Sequence, residues 1–114
     1  MPASGLSGPY ALNDDTIDKI ITRTSAGSYA LGETKTDGMF YIDYAGRSDG
    51  DVNGRLHDHA GRYKQFKYGY FPTAKAAFEK ECNLYHDFSP RDNKVHPARS
   101  PNTNWTCPRC RALG

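Results

Sequence analysis

At 114 residues, with a net charge of +2, 37% hydrophobic and 25% charged side chains, the chain has the make-up of one soluble domain with a single modest core. That charge is too small to argue for nucleic acid by itself. No apolar run approaches the roughly 20 residues a membrane span needs, and MPASGLSGPYALNDD lacks the apolar heart of a signal peptide, so no membrane partner and a cytoplasmic protein are the default expectations. Three cysteines make an odd count, which suits metal ligation or free thiols better than a disulfide scaffold.

Residues 1 to about 12 carry Pro, Ser and Gly without a period and read as a loosely held arm. LNDDTIDKIITRT then predicts a short helix, with Asn13 or Asp14 as its cap and Ile17, Ile20 and Ile21 as its buried edge. GSYALGE and GMFYIDYAG follow as two strands, and the short polar link Thr34 to Gly38 predicts that they form an antiparallel hairpin. RSDGDVNGRLHDHAG reads as a loop and a helix capped by Asp49 or Asp51. Gly54 costs that helix about 1 kcal/mol against alanine. Its inward face would hold Val52, Arg55, Leu56 and His59. KQFKYGYF predicts a third strand, in which Phe66, Tyr68 and Tyr70 alternate with Lys67, Gly69 and Phe71.

The stretch TAKAAFEKECNLYHDFSP predicts the main helix, opened by Thr73 as cap and closed before Pro90. At about 100° per residue, Ala74, Ala77, Phe78, Leu84, Tyr85 and Phe88 share a face. Glu81 falls in the middle of that face. A carboxylate there is costly to ionise unless a cation, an Arg or several donors meet it. It is either a structural ion-pair partner or a charge held ready for chemistry. The irregular SPRDNKVHPARSPNTNW segment after it needs an anchor.

Four features then line up in chain order: a strand bearing Gly27-Ser28-Tyr29, a strand ending Tyr44-Ala45-Gly46, a helix bearing Arg55 and His59, and a helix bearing Glu81 followed by Asn93. This resembles the GIY-YIG nuclease superfamily over residues 25–93. GSY stands for the first tyrosine motif and YAG for the second, and Arg55-x3-His59 is similar to the homing-endonuclease branch. Both motifs have lost their Ile, to Ser28 and Ala45, and the loop Arg47 to Asp51 looks one residue longer than usual. The resemblance implies a metal-dependent endonuclease acting on nucleic acid, with DNA favoured over RNA. It implies Glu81 as ligand to Mg²⁺ or Mn²⁺, Arg55 as a clamp on the phosphate and Tyr29 as water activator or relay. Tyr44 would be the partner of Tyr29, His59 a base or phosphate donor, and Asn93 a holder of the site. The residue types suit the chemistry, because phosphodiester hydrolysis needs an activated water, charge neutralisation and help for the leaving oxygen. On the substrate side, Arg47, Arg62, Lys64 and Lys67 could track phosphates, or could be the solvated edge of an ordinary strand.

A second chemistry is written at the end of the chain. Cys82-x3-His86 on a helix and Cys107-x2-Cys110 on a turn give two half-sites, together the four ligands of a structural Zn²⁺. His96 is the alternative to His86. A redox pair or a disulfide at Cys107–Cys110 is the competing account. The expectation is a single α/β domain of α+β type: a small three-stranded, mostly antiparallel sheet flanked by helices, with residues 82–110 pinned by zinc. Its rival in function is an inactive zinc-containing module on the same fold that binds nucleic acid or protein.

Overall fold

The computed structural model describes residues 4–110. It is a small α+β fold in three layers, with a four-stranded antiparallel sheet in the middle. The elements run β1 (Ser7–Ala11), α1 (Asp14–Ile20), β2 (Gly27–Thr34), β3 (Phe40–Ser48), α2 (Val52–His59), β4 (Gln65–Tyr70) and α3 (Ala74–Phe88). The sheet order is β1-β4-β2-β3. The sequence expectation of three strands is corrected here. Part of the supposed arm is an edge strand, in which Ser7 pairs with Tyr68, Tyr10 with Phe66 and Ala11 with Gln65. Its backbone groups are satisfied by β4, a long-range pairing that no local periodicity signals.

Local chemistry explains the helix ends. Asn13 caps α1 by accepting from the Thr16 N–H, and Thr73 caps α3 by accepting from the Ala76 N–H. Asp51 caps α2 through the Gly54 N–H. The other oxygen of that carboxylate lies 2.9 Å from where a Cβ at position 54 would stand, so an alanine there would make the capping side chain shift.

Strand alternation then sorts the side chains. Tyr29 and Leu31 face Phe66, Val52, Leu56 and Ile17 beneath α1 and α2, where they form the main core. Ser28, on the opposite face, meets α3 and donates its buried hydroxyl to the Ala77 carbonyl at 2.7 Å. A smaller core of Phe78, Cys82 and Cys107, with Trp105 packed on it, lies on that side. No helix among the described residues is long and apolar enough to cross a membrane.

Candidate functional site

β3 is an edge strand, so groups from both faces of the sheet can meet around its rim. A cleft of about 360 Å³ lies there, lined by Tyr29, Tyr44, Gly46, Arg47, Ser48, Asp49, Arg55, Glu81 and Ala98. Tyr29 and Tyr44 approach from the α2 side, Glu81 from α3, and Arg55 from α2 itself. Residues scattered over 50 positions of sequence thereby converge on one concavity, as a site for a reacting group requires.

The pairing of β2 with β3 sets Tyr29 opposite Gly46. The Tyr29 hydroxyl lies 3.1 Å from Nε2 of His59, in a fully buried contact. Tyr44 packs at a tilt against the same imidazole with ring centroids 5.4 Å apart, and stacks on Tyr63 at 6.5 Å. Burial pushes the Tyr29 phenol well above its usual range, with Arg55 opposing that shift. Burial, then the positive charges of Arg55 and Arg62, holds His59 below the ordinary histidine range despite the nearby Asp58. A neutral tyrosine therefore faces a neutral imidazole, a pair able to pass a proton without creating a buried charge first.

Glu81 is only 8% exposed. Burial raises its pKa, and the hydrogen bond and charge of Arg47 pull the other way. Arg47 Nη1 donates to Glu81 Oε1 at 2.8 Å and Nε donates to Asp49 Oδ1 at 2.8 Å. Arg55 is different: its side chain is 51% exposed and reaches Asp58 only at 3.7 Å, which leaves it available to a ligand in the cleft.

The remaining predicted residues lie outside that cleft, although Asn93 lines an adjoining one with Tyr44, Glu81 and Ala98. Asn93 does not face the cleft with its amide. It accepts from the Ala45 N–H at 2.8 Å and donates to the Ala45 carbonyl at 2.9 Å, while the Asp92 N–H donates to the Asp43 carbonyl. The residues after α3 thus seal the outer edge of β3. Lys64 pairs with Glu33 at 3.4 Å in a neighbouring cleft of about 370 Å³, which it lines with Arg62, Arg91, Asp43 and Asp92. Lys67 shares the α3 face with Arg47 but lies in a separate pocket with Phe40, Ile42 and Phe88, its ammonium 5.2 Å from the Phe40 ring centre. The expected cluster of Arg47, Lys64 and Lys67 is corrected accordingly: Arg47 on β3, Lys64 just before β4 and Lys67 within β4 line three separate concavities.

At the other end of α3, His86, His96, Cys107 and Cys110 bring one ligand atom each within 4.8 Å of one another, a group that could hold a metal ion and is compatible with zinc. The group includes both His86 and His96, expected as alternatives, and leaves out Cys82. Cys82 is fully buried against Phe78 and Cys107, where burial raises its thiol far above the usual range. Two details fit a cation. His86 Nε2 is buried with no hydrogen-bond partner. His96 uses Nδ1–H to donate to the Pro97 carbonyl at 2.9 Å, which leaves Nε2 as a lone pair 3.4 Å from Cys110 Sγ. The Cys107 sulfur, though buried, receives the Arg109 N–H at 3.4 Å, a bond that favours thiolate.

Ser100 and Trp105 complete this region without having been singled out from sequence, and Asp49, expected only as a helix cap, joins them as a partner of Arg47. The only signal for Trp105 was its being the single tryptophan of the chain, two residues before Cys107. No family model, no curated protein and no solved structure matches the chain.

Proposed function

We propose that the chain is a metal-dependent endonuclease of GIY-YIG type that hydrolyses phosphodiester bonds in nucleic acid, DNA in preference to RNA. The observation that carries this reading is the convergence of Tyr29, Tyr44, Arg55 and Glu81 on one cleft at the rim of β3. The donors there suit a hydrated Mg²⁺ or Mn²⁺. Glu81 and Asp49 offer hard carboxylate oxygens, with Arg47 bridging them. When bound, such an ion neutralises phosphoryl charge and acidifies water. Arg55 grips the scissile phosphate, a contact that strengthens as charge develops. Tyr29 takes a proton from the attacking water as it gives its own to His59, so neither group has to be ionised beforehand. Asn93 keeps β3 in register beneath these groups. Zinc on His86, His96, Cys107 and Cys110 plays a structural role, with all four positions supplied by protein.

One observation favours the rival, a binding module without catalysis: Oε1 of Glu81 is held by Arg47, as in an ordinary structural ion pair. The two readings part on a single comparison. Supercoiled plasmid and mixed RNA are incubated with Mg²⁺ or Mn²⁺ and either the natural chain or Glu81→Gln. The nuclease nicks or linearises the plasmid, and the variant binds it equally well but leaves it intact. A folded natural chain that binds nucleic acid and cuts neither substrate would establish the binding module instead.

A further inference from the structure

Arg47 sits one residue after the second tyrosine motif, where a phosphate contact would be expected. Its donors are spent inside the protein instead. Nη1 meets Glu81 and Nε meets Asp49, each at 2.8 Å, and Nη2 donates to Ser100 Oγ at 3.3 Å. Ser100 in turn donates to Asp49. The guanidinium also lies 5.1 Å from the Phe78 ring centre and 5.9 Å from that of Trp105. With its side chain 12% exposed, little of it remains for a substrate.

These partners come from two places. Glu81 and Phe78 belong to α3, one turn apart. Ser100 and Trp105 belong to the segment between His96 and Cys107, and both of those residues contribute ligand atoms to the metal cluster. The segment therefore crosses the cleft as a loop that a bound metal would fasten at both ends, and Ala98 within it lines the cleft.

We propose that Arg47 is a positioning residue, which holds and partly neutralises the Glu81 carboxylate, and that the metal-fastened loop 97–106 keeps it there through Ser100 and Trp105. The site at β3 is then built only when the distant Cys and His residues are loaded. This rests on the nuclease reading for its catalytic consequence, and its structural content stands apart from that reading. A phosphate-binding Arg predicts something else: weaker substrate binding and a shallower salt dependence when it is lost.

Trp105 is the only tryptophan, so its fluorescence reports on this contact directly. The zinc-loaded chain is compared with the chelator-treated chain, with the zinc-loaded Arg47→Gln variant, and with Trp105→Phe and Trp105→Ala. Removing zinc should shift the emission to the red, and adding Zn²⁺ should restore it, with the far-ultraviolet circular dichroism unchanged throughout. Arg47→Gln should shift the emission with zinc still bound, and should lower kcat on plasmid at least tenfold with KM changed less than twofold. Trp105→Phe should cleave at close to the natural rate and Trp105→Ala at the rate of Arg47→Gln. Emission that moves in neither case overturns the proposal, as does loss of the whole fold on chelation, or a raised KM with kcat intact in Arg47→Gln. If the natural chain cleaves nothing, the nuclease reading falls and the fluorescence alone decides the clamp.

Discussion

The Tyr29 hydroxyl lies 2.6 Å from where a Cβ on Gly46 would stand, and its ring carbon Cζ is equally close. No side-chain carbon can occupy that space. The first and second tyrosine motifs are therefore one contact across β2 and β3, and the glycine of the second exists to admit the tyrosine of the first. Gly46→Ala must push the Tyr29 ring off His59 or bend the strand. The expected cost is about 1–3 kcal/mol of stability, as for other overpacked cores, together with loss of cleavage. Urea unfolding and plasmid nicking measure the two effects, and a stable, active variant would show that the ring is free to move.

Ser28 stands where the resembling family has an Ile. Its buried hydroxyl donates to the Ala77 carbonyl on α3, so a small polar group fastens the sheet to the helix that carries Glu81. Ser28→Ala should cost about 1 kcal/mol through the lost hydrogen bond. Ser28→Ile should cost more, about 1–3 kcal/mol, because the extra carbons meet the helix backbone. Equal stability of the natural chain and the Ile variant would remove this account of the departure.

These two residues mark how far the sequence could be read. Periodicity and caps place α1, α2, α3 and the strands β2, β3 and β4, because each is a local signal: Asn13, Asp51 and Thr73 act on backbone groups three residues away. Glu81 and His59 stand out as polar groups on apolar faces, and both are buried as that pattern implies. β1 was missed because its partner is β4, more than 50 residues later. Cys82 looked like a ligand from its i, i+4 spacing to His86. Its side chain packs into the small core beside Phe78, and the group that could hold a metal has His96, held by a carbonyl from an irregular segment, in its place. Arg47 read as a free cation because nothing local reveals Ser100 and Trp105 folding back over it.

A third test concerns the joint between α1 and α2. His57 bonds Asp14 through Nδ1 at 2.6 Å and Asp18 through Nε2 at 2.8 Å. With both nitrogens facing carboxylates, the bridge is complete only when the imidazole carries two protons. The bonds to Asp14 and Asp18 raise the His57 pKa, and the bond to His57 lowers that of Asp18. A raised histidine gives stability that is full below its unfolded value of about 6.5 and is lost as pH rises through the folded one. A lowered aspartate gives stability that is present above about 3.9 and is lost as pH falls through its folded value. The latch is therefore strongest between those limits. The natural chain should lose more Tm between pH 5.5 and 8.5 than His57→Gln does. Parallel losses in the two proteins would mean that the bridge contributes nothing.

The last prediction follows from the neutral Tyr29–His59 pair. His59 is surrounded by Arg55, Arg62, Asp58, Tyr29 and Tyr44, and burial with the two arginines outweighs Asp58 in lowering its pKa. Its Nδ1 is buried without a partner, so no opposing group inside the core steadies the imidazolium. For stability, the sign is that of a histidine depressed by folding: the unfolded chain binds the extra proton first, so stability falls as pH drops from about 6.5 toward the folded value. For activity, the same proton blocks transfer from Tyr29. The acid limb of kcat/KM against pH should therefore lie below about 6.5. Arg55→Gln, besides weakening substrate binding, should move that limb upward by removing a repelling charge. His59→Gln should abolish the limb and slow cleavage by about 100-fold or more, the usual loss when a general base is removed. An acid limb unmoved in Arg55→Gln and still present in His59→Gln would assign the titration to another group and leave Tyr29 without its proton acceptor.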